Sequence, residues 1–202
     1  FSSKDSAHRL SGELGIKMFK ADVSDSGQVR RMFAEHDAVD ILVCSAGVSL
    51  IKLFTDTAEA EWRRLLDINL AGVINCCQAA IPHMVRQKYG RIVLVSSVWG
   101  TAGASCEAVY AASKSALHGL AKSLAKELGP SGITVNCVAP GVIDTDMNAG
   151  LSPEVKSELI GATPAGRLGA PRDVAALVRF LASDSAGFIT GQIIGVDGGF
   201  AG

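Results

Sequence analysis

The sequence has no surplus of charge of either sign. Its 202 residues include 19 lysine and arginine residues against 20 aspartate and glutamate residues, for a formal net charge of −1. Binding to nucleic acid or to an anionic membrane normally relies on a basic surplus. The composition therefore argues against both partners, and no apolar run is long enough to predict a membrane span.

The chain also lacks the cysteine spacings of metal sites and disulfide frameworks. Its cysteines form no CxxC pair and have no metal-ligand spacing with a histidine. We therefore expect no bound metal, reduced thiols and a cytoplasmic location. The five cysteines are Cys44, Cys76, Cys77, Cys106 and Cys137.

Strand-like and helix-like segments alternate along the chain. Repeated βα units predict a doubly wound, Rossmann-like parallel sheet with helices on both faces, and no repeat or linker divides residues 1–202 into separate domains. The near-continuous apolar character of 39–47 predicts a strand covered on both faces. The predicted strands are 16–23, 39–47, 90–97, 132–141 and 191–199. The predicted helices are 5–14, 26–36, 60–87 in two pieces, the helix that carries Tyr110 and ends at Gly129, and 173–183.

The carboxyl ends of the predicted strands are rich in small and hydroxyl residues. Ligands of open parallel sheets bind beyond this edge, and small residues let a ligand approach the backbone closely. Ordinary tight turns also favour glycine, serine and aspartate, but four such turns together favour a site. The four read ADVSD (21–25), CSAG (44–47), SSVWG (96–100) and VAPGVIDT (138–145).

Tyr110 and Lys114 stand four apart in a segment of otherwise small residues, so they share one helix face. A nearby ammonium lowers the pKa of a phenol, and Ser97 can hydrogen-bond a substrate carbonyl beside it. These three residues suit protonation of an oxygen as a hydride reaches its carbon. The alternative is a chance pair on a helix that packs at an interface.

Asn69 is a polar residue in a helical and mostly apolar segment. One interpretation is an amide that caps or satisfies a kink in the helix. The other is a water-binding relay behind Lys114.

Five features spread over the chain form a recognisable set. They are YAASK (110–114), Ser97 thirteen residues before Tyr110, DINLAG (67–72), VNCVAPGVIDTDM (135–147) and the final DGG (197–199). In these features the sequence resembles the short-chain dehydrogenase/reductase superfamily, and most of all its 3-oxoacyl-acyl-carrier-protein reductases. The resemblance implies an oxidoreductase of fatty acid biosynthesis in which Tyr110 is the general acid or base. It also implies that Lys114 lowers the Tyr110 pKa and holds the nicotinamide ribose, that Ser97 orients the carbonyl, and that Asn69 supports a proton relay.

The resemblance further implies a set of cofactor contacts. Residues 147–167 would form a mobile substrate lid. Asp22 and Val23 would flank the adenine, and Ser45, Ala46 and Gly47 would follow the adenosine ribose. Pro140, Gly141, Val142 and Ile143 would line the nicotinamide, with Thr145 near its amide or the pyrophosphate.

The sequence departs from the family pattern in three places, one of them Ser131, which stands where an arginine is common. Cys44 and Ser45 stand where the family has two asparagines, which puts the usual bracing of the central strand in doubt. The glycine-rich phosphate loop is absent, and GTAGAS (100–105) is better interpreted as part of the active-site loop. We therefore expect this chain to lack the family's first strand, first helix and most of its second strand.

The first residues predict the cofactor. NAD-specific members place an acidic residue directly after the second strand, where this chain has Ser2, Ser3 and Lys4. Hydroxyl groups and a cation suit a 2′-phosphate, so Ser3 and Lys4 predict NADP. Asp5 would favour NAD if the register were shifted.

The leading hypothesis is an NADPH-dependent reductase of 3-oxoacyl thioesters that works as a homotetramer. The resemblance implies that the helix at 60–87 and the helix that carries Tyr110 pair across a two-fold axis, and the apolar final strand would form the second interface. An acidic carrier protein would dock at Arg86, Lys88 and Arg91, although Ser131 replaces a common arginine. One alternative is an alcohol, sugar or polyketide oxidoreductase of the same superfamily. A second is a non-catalytic, NADP-binding regulatory protein.

Overall fold

Four parallel strands form the sheet at the centre of the molecule. The computed structural model describes residues 11–36 and 38–200, and the strands found there have the order β1-β2-β3-β4. Ile41 lies opposite Arg91 in the register of the first pair. The four strands are β1 (Ile41–Cys44), β2 (Gly90–Val95), β3 (Ile133–Pro140) and β4 (Ile193–Val196).

Helices connect these strands, and several begin at the residues that sequence signals mark. The Asp25 carboxylate accepts hydrogen bonds from the backbone of Gly27 and Gln28 and so caps the first helix. The helices are α1 (Ser26–Ala34), α2 (Glu59–Leu66), α3 (Gly72–Gln87), α4 (Trp99–Ala102), α5 (Ala108–Leu128), α6 (Pro153–Ala162) and α7 (Pro171–Leu181). Short 3₁₀ turns lie at Phe54–Asp56, Gly129–Ser131, Asp146–Asn148 and Asp184–Ala186.

The sheet has packed helices on both faces, which confirms the doubly wound arrangement. On one face, side chains of α1, α3 and α5 pack against β1, β2 and β3, with Ile92 and Leu94 of β2 fully buried. On the other face, Val93 and Val138 pack with Leu181 of α7. The alternation along β2 is what a strand buried from both sides requires.

The strand expected at 16–23 is wrong. Residues 16–22 have no strand pairing, and a turn follows at 23–24. A strand exists only through a ladder with a neighbour, and no partner for this segment lies among the described residues. Of the helix expected at 5–14, residues 11–14 are helical and the rest lies outside the described range.

β1 is covered on only one face, which corrects a second expectation. Leu42 and Cys44 are buried, whereas Ile41 is 46% and Val43 40% exposed. The apolar run of 39–47 correctly predicts a strand. It does not predict cover on both faces, because no described element packs over β1 on the α7 side.

The long helix expected at 60–87 is continuous but changes geometry midway. α2 runs through a π-helical segment, Asp67–Ala71, into α3. The combined helix, Glu59–Gln87, has 29 residues, and its most apolar 18-residue window has a mean hydropathy of 1.3. Contrary to the expectation, one helix is thus long and apolar enough to span a membrane, but buried helices of globular proteins pass the same test, so this is weak evidence.

Candidate active site

The carboxyl ends of β2 and β3 are joined by backbone hydrogen bonds that fix the floor of the candidate site. Ser96 N donates to Val138 O at 2.7 Å, and Val98 N donates to Pro140 O at 3.0 Å. The two turns that follow these strands therefore lie side by side. This is the sheet edge at which the sequence predicts a ligand.

Ser97 and Tyr110 meet at this edge. The Ser97 hydroxyl accepts a hydrogen bond from Trp99 N at 3.2 Å and lies near enough to the Tyr110 phenol to lower its pKa. Both residues are buried. The structure thus brings together a hydroxyl and a phenol that can bind the same substrate oxygen.

The pKa of Tyr110 differs from the sequence-based expectation. Burial raises the pKa of the phenol, the nearby Ser97 hydroxyl opposes this, and the negative charge of Glu107 raises it further. We expected Lys114 to lower it. In this structure the Lys114 Nζ lies 5.7 Å from the centroid of the Tyr110 ring, and its charge does not prevail over burial.

Lys114 is held by the end of β2. Its Nζ donates to Val95 O at 2.9 Å, and the residue is only 5% exposed. Burial lowers the pKa of this ammonium from 10.5 to about 8. The lysine therefore carries a poorly solvated charge that an additional hydrogen-bond acceptor would stabilise.

Asn69 braces the loop that follows β1. Its Nδ2 donates to Val48 O and its Oδ1 accepts from Val48 N, both at 2.9 Å, and Nδ2 also contacts the Ser113 hydroxyl at 3.2 Å. The side chain is 0% exposed and lies in the π-helical segment. These bonds reach the loop after β1 and a side chain of α5 rather than the backbone of the helix that carries Asn69, so the amide does not satisfy a kink in its own helix, and its part in a relay stays a prediction. π-helical turns are common at functional sites.

Gly47 lies close to both Asn69 and Lys114. A Cβ added at Gly47 would lie 3.4 Å from both the Asn69 Oδ1 and the Lys114 Nζ. The turn after β1 therefore reaches Lys114, and Ser45 and Ala46 before it are exposed. A ribose placed along this turn would meet the lysine that the sequence assigns to it.

The segment after β3 forms a second wall. Gly141 N donates to Val196 O at 3.1 Å, and Gly169 N donates to Val142 O at 3.0 Å. The Ile143 carbonyl accepts from Asn148 Nδ2 at 2.7 Å and from Thr145 Oγ1 at 3.5 Å. Pro140, the last residue of β3, begins this wall, so the residues expected around a nicotinamide form one ordered segment.

Asp22 and Val23 are anchored against the start of α3. A Cβ at Gly72 would come within 2.6 Å of Val23 Cγ2, so only glycine permits this contact. Asn75 Nδ2 donates to Val23 O at 2.9 Å. The exposed Asp22 carboxylate accepts from the Ser24 hydroxyl and backbone, and these hydrogen bonds lower its pKa.

The described residues are suited to hold the nicotinamide and the adjoining ribose of a nicotinamide cofactor. Lys114 supplies a cation in need of an acceptor, and Gly47 leaves open the space beside it. Ser3 and Lys4, predicted to select the cofactor, lie outside the described residues.

The predicted basic docking residues are on the wrong side of the sheet. Lys88 and Arg91 precede or begin β2, so they lie at its amino end, opposite the edge that carries Ser97. Arg91 is also buried, with Nη1 donating to Gly90 O and Gly132 O, and its guanidinium stacks on Tyr89. Arg91 is a structural residue, and Arg86 and Lys88 do not line the site entrance.

Sequence reasoning missed a layer of polar residues behind the site. The Ser96 hydroxyl donates to Lys114 O at 3.0 Å and pairs with His118 Nε2 at 2.8 Å. The Ser113 hydroxyl donates to Tyr110 O at 2.7 Å. The small, polar residues of SS (96–97) and YAASK (110–114) were the available signal, and nothing in the sequence around His118 marked it.

The Cys44 departure has a clear structural consequence. It lies in the same core cluster as Cys76 and Cys77 of α3, and these neighbouring thiols together with burial raise the pKa of its own thiol. The residue that replaces an asparagine thus faces the core. The bracing of the adjoining loop comes instead from Asn69.

Comparison with known proteins settles the family. A family model described as enoyl-(acyl carrier protein) reductase matches residues 2–201. The chain is 41% identical over 206 residues to the 3-oxoacyl-[acyl-carrier-protein] reductase FabG of Chlamydia muridarum, covering 99% of this chain and 83% of that protein. It is 43% identical to FabG of Staphylococcus aureus, covering 98% and 84%. The chain belongs to the short-chain dehydrogenase/reductase superfamily.

Solved structures of this superfamily share the fold over most of the chain. A 3-oxoacyl-[acyl-carrier protein] reductase from Brucella melitensis has a TM-score of 0.91 and 39% identity, with 98% of this chain and 77% of that chain covered. A second Brucella melitensis reductase structure, with bound NAD, has a TM-score of 0.88 and 38% identity over 98% and 77%. A gluconate 5-dehydrogenase from Burkholderia cenocepacia, with NADP and tartrate, has a TM-score of 0.86 and 34% identity over 89% and 73%. The expectation of an oxidoreductase that resembles the 3-oxoacyl-acyl-carrier-protein reductases is confirmed.

Proposed function

We propose that this chain reduces the 3-oxo group of an acyl thioester to a 3-hydroxyl group, with NADPH as the reductant. The observation that carries the proposal is the convergence of Ser97, Tyr110 and Lys114 at the carboxyl edge of the sheet. Two relatives at 41% and 43% identity are named as reductases of 3-oxoacyl groups on acyl carrier protein. Together these support both the reaction and the substrate class.

Each residue has a distinct task in the proposed reaction. The Ser97 hydroxyl binds the substrate carbonyl oxygen and holds it beside the Tyr110 phenol. When bound, the nicotinamide supplies a hydride to the carbonyl carbon. Tyr110 donates its proton to the oxygen, and the adjacent ammonium of Lys114 stabilises the phenolate that remains. Asn69 keeps the loop beside Lys114 in place, and from there it supports the return of a proton.

NADP is proposed as the cofactor on the basis of the sequence. Ser3 and Lys4 offer hydroxyl and cationic groups for a 2′-phosphate. Among the related structures, one reductase contains NAD and the gluconate 5-dehydrogenase contains NADP. Because both cofactors occur among relatives, a direct comparison of the two on this protein is needed.

The segment expected to cover the substrate supports an extended, apolar ligand. It contains the 3₁₀ turn Asp146–Asn148 and the helix α6, which has no fully buried residue. Met147, Val155 and Ile160 expose apolar side chains there. A helix with this exposed apolar surface is suited to lie over an acyl chain.

The proposed partner is an acyl carrier protein that delivers the thioester, as the names of the relatives suggest. A cytoplasmic location accords with such a partner and stays a prediction.

The experiment is a comparison of substrates under matched conditions. Acetoacetyl-CoA is tested as a surrogate thioester with NADPH and with NADH, and gluconate and secondary alcohols are tested with NADP⁺ and NAD⁺. We expect turnover of acetoacetyl-CoA with a preference for NADPH. Turnover with NADH alone would overturn the cofactor assignment.

The second candidate is a sugar-acid or alcohol dehydrogenase, because a gluconate 5-dehydrogenase shares the fold at 34% identity. Turnover of gluconate or an alcohol without turnover of the thioester would favour it. A protein that binds NADPH but turns over no member of the panel would instead favour the regulatory alternative.

A further inference from the structure

The Ser96 hydroxyl lies between two residues of α5. Its Oγ is 3.0 Å from the Lys114 carbonyl oxygen and 2.8 Å from His118 Nε2. Ser96 is 3% exposed and His118 is half-buried, so both hydrogen bonds lie where the loss of a partner is costly. Because Ser96 comes directly after β2 and directly before Ser97, these bonds join the strand end to the helix that carries Tyr110.

The protons available to this cluster give each hydrogen bond a direction. A serine hydroxyl has one proton to donate, and a carbonyl oxygen can only accept. The Ser96 proton therefore goes to the Lys114 carbonyl. Ser96 Oγ is then the acceptor in its contact with His118, so the imidazole must carry a proton on Nε2.

The protonation of His118 follows from its surroundings. Burial lowers the pKa of the imidazole, and the positive charge of Lys122 lowers it further. At about pH 8 the ring is therefore neutral and has a single proton. Since the hydrogen bond to Ser96 requires that proton on Nε2, the other ring nitrogen, Nδ1, is unprotonated.

Two hydrogen bonds clamp the end of β2 to Lys114. The Lys114 Nζ donates to Val95 O at 2.9 Å, and the Lys114 carbonyl accepts from the Ser96 hydroxyl. One residue of α5 is thus tied through its side chain and through its backbone to two successive residues at the strand end. Ser97 is the next residue along, so its position depends on this clamp.

Gly100 leaves the space in which the His118 ring lies. A Cβ added at Gly100 would be 3.1 Å from His118 Cε1. Gly100 N also donates to Ser97 O at 3.0 Å, so the imidazole packs against the same turn that carries the Ser97 hydroxyl. His118 therefore reaches this turn twice, by its hydrogen bond to Ser96 and by its contact with Gly100.

We propose that His118 is a positioning residue whose Nε2–H donor fixes the Ser96 hydroxyl and thereby the placement of Ser97 against α5. This inference rests on the proposed function, in which Ser97 binds the substrate carbonyl oxygen. Without the His118 donor, Ser96 Oγ loses one of its two hydrogen bonds and the strand end is held less firmly. A displaced Ser97 stabilises the reacting oxygen less well, whereas Lys114 keeps its bond to Val95 O.

The direct test is the tautomer of His118, which needs neither cofactor nor substrate. Solid-state NMR of protein labelled with ¹⁵N-histidine distinguishes a protonated from an unprotonated ring nitrogen. The chain has four histidines, and the signal that is missing from His118→Gln identifies the one in question. At about pH 8 we expect Nε2 to be protonated and Nδ1 to be unprotonated. The opposite tautomer would overturn the proposal.

Two amide variants separate the donor from the rest of the side chain. The amide nitrogen of glutamine lies as far from the backbone as Nε2 of histidine, whereas that of asparagine is one bond closer. His118→Gln should therefore keep most of the wild-type kcat for acetoacetyl-CoA. His118→Asn should lower kcat by roughly three- to tenfold through misplacement of Ser97, with an unchanged dissociation constant for NADPH. Each kcat is expressed per NADPH-binding site, so that a loss of folded protein does not enter it.

A double-mutant cycle tests whether His118 acts through Ser96. Ser96→Ala removes the acceptor, so adding His118→Asn to it should cause little further loss of kcat. His83→Asn is the matched control, because His83 is also a half-buried histidine with a side-chain partner, Asp40, at the amino end of the sheet. This control should leave kcat unchanged.

The outcomes separate this inference from the function on which it rests. Equal kcat values for wild type and His118→Asn would reject the role of His118 alone, and so would additive losses in the cycle with Ser96→Ala. A wild-type protein that does not reduce acetoacetyl-CoA would overturn the proposed function, while the NMR measurement would still decide the direction of the hydrogen bond.

Discussion

Burial acts in opposite directions on the two ionisable residues at the centre of the site. It raises the pKa of Tyr110, whose charged form is an anion, and lowers the pKa of Lys114, whose charged form is a cation. Both residues are therefore driven toward neutrality in the cofactor-free protein. A ribose hydroxyl beside Lys114 would offer its ammonium an acceptor, which links cofactor binding to the charge state of the site.

The first prediction concerns the acid. Tyr110→Phe removes the hydroxyl but keeps the ring, so we expect reduction to fall by roughly 10²- to 10⁴-fold while NADPH binding persists. Steady-state kinetics with acetoacetyl-CoA and a fluorescence titration with NADPH measure the two effects. Tyr89→Phe, which changes the other tyrosine, should keep near-normal turnover. Comparable turnover of both variants would remove Tyr110 from the mechanism.

The second prediction concerns the unfolding free energy that is lost because the Lys114 ammonium is buried. Its pKa is about 8 in the folded protein against 10.5 ordinarily. Between these pH values the unfolded chain binds a proton that the folded chain does not, so this group makes the unfolding free energy rise with pH. Lys114→Met should remove that rise and stabilise the apo protein below pH 8, by at most about 3 kcal/mol.

Urea unfolding of wild type and Lys114→Met across pH 7 to 10, roughly spanning that window, gives the difference curve in which other titrations cancel. The same variant should lose both NADPH affinity and turnover, because one side chain serves both. If the unfolding free energies of the two proteins ran parallel, the buried charge of Lys114 would be refuted.

The sequence identifies the residues of the site better than it identifies their partners. The juxtaposition of Ser97, Tyr110 and Lys114 at one edge of the sheet follows from local spacing and a parallel sheet, so it was predictable, and their roles in a reaction stay a prediction. The hydrogen bond from Lys114 Nζ to Val95 O and the two hydrogen bonds between Asn69 and the Val48 backbone depend on how distant segments pack. For the same reason the balance of charges on Tyr110 was not predictable, since burial outweighs the lysine.

At the scale of elements, α4 and α5 pack closely enough to exclude a side chain. A Cβ at Gly100 would lie 2.9 Å from the Lys114 carbonyl carbon and 3.0 Å from Ser115 N. The turn that leads into α4 also carries Ser97, whose carbonyl accepts from Gly100 N at 3.0 Å. The position of the Ser97 hydroxyl therefore depends on this contact between helices.

The third prediction follows from that contact. Gly100→Ala should destabilise the protein by about 1–3 kcal/mol, because backbone atoms of α5 cannot move aside, and should also lower kcat. Gly161→Ala is the matched control on α6, where an added Cβ meets no atom within 4 Å. That change should be neutral or slightly stabilising, since alanine favours a helix over glycine. Equal melting temperatures of wild type and Gly100→Ala would contradict the packing argument.

The strands show which of their features the local sequence determines and which depend on a distant partner. β2 and β3 begin and end within a few residues of the predicted limits, since apolar runs and turn residues mark them. The segment 16–23 has an equally suitable pattern but no ladder partner among the described residues. Propensity thus predicts extended backbone, and only pairing with another strand makes it a strand.

At the scale of the whole molecule, apolar side chains remain uncovered at several places among the described residues, and two of these bear on assembly. One is the outer face of β1, with Ile41 and Val43, and the other is the region between α7 and β4, with Phe180 and the fully exposed Phe188. Exposed apolar patches commonly mark surfaces where proteins associate. The second of these lies beside the final strand, which the sequence predicts to form one interface of a tetramer.

The fourth prediction tests that assembly through its two proposed interfaces. Phe188→Asp places a charge on the surface beside β4 and should convert tetramers into dimers, because burying an unpaired carboxylate is costly. Gly119→Glu places a charge among the small exposed residues of α5, where an added side chain meets no atom of its own chain, and should disrupt the helix-paired interface. The double variant should be monomeric.

Light scattering at micromolar concentration measures each mass, and Val155→Asp on the exposed α6 is the control that should leave the mass unchanged. Wild-type protein that is monomeric, or a Phe188→Asp variant that stays tetrameric, would show that Phe188 is not an interface residue.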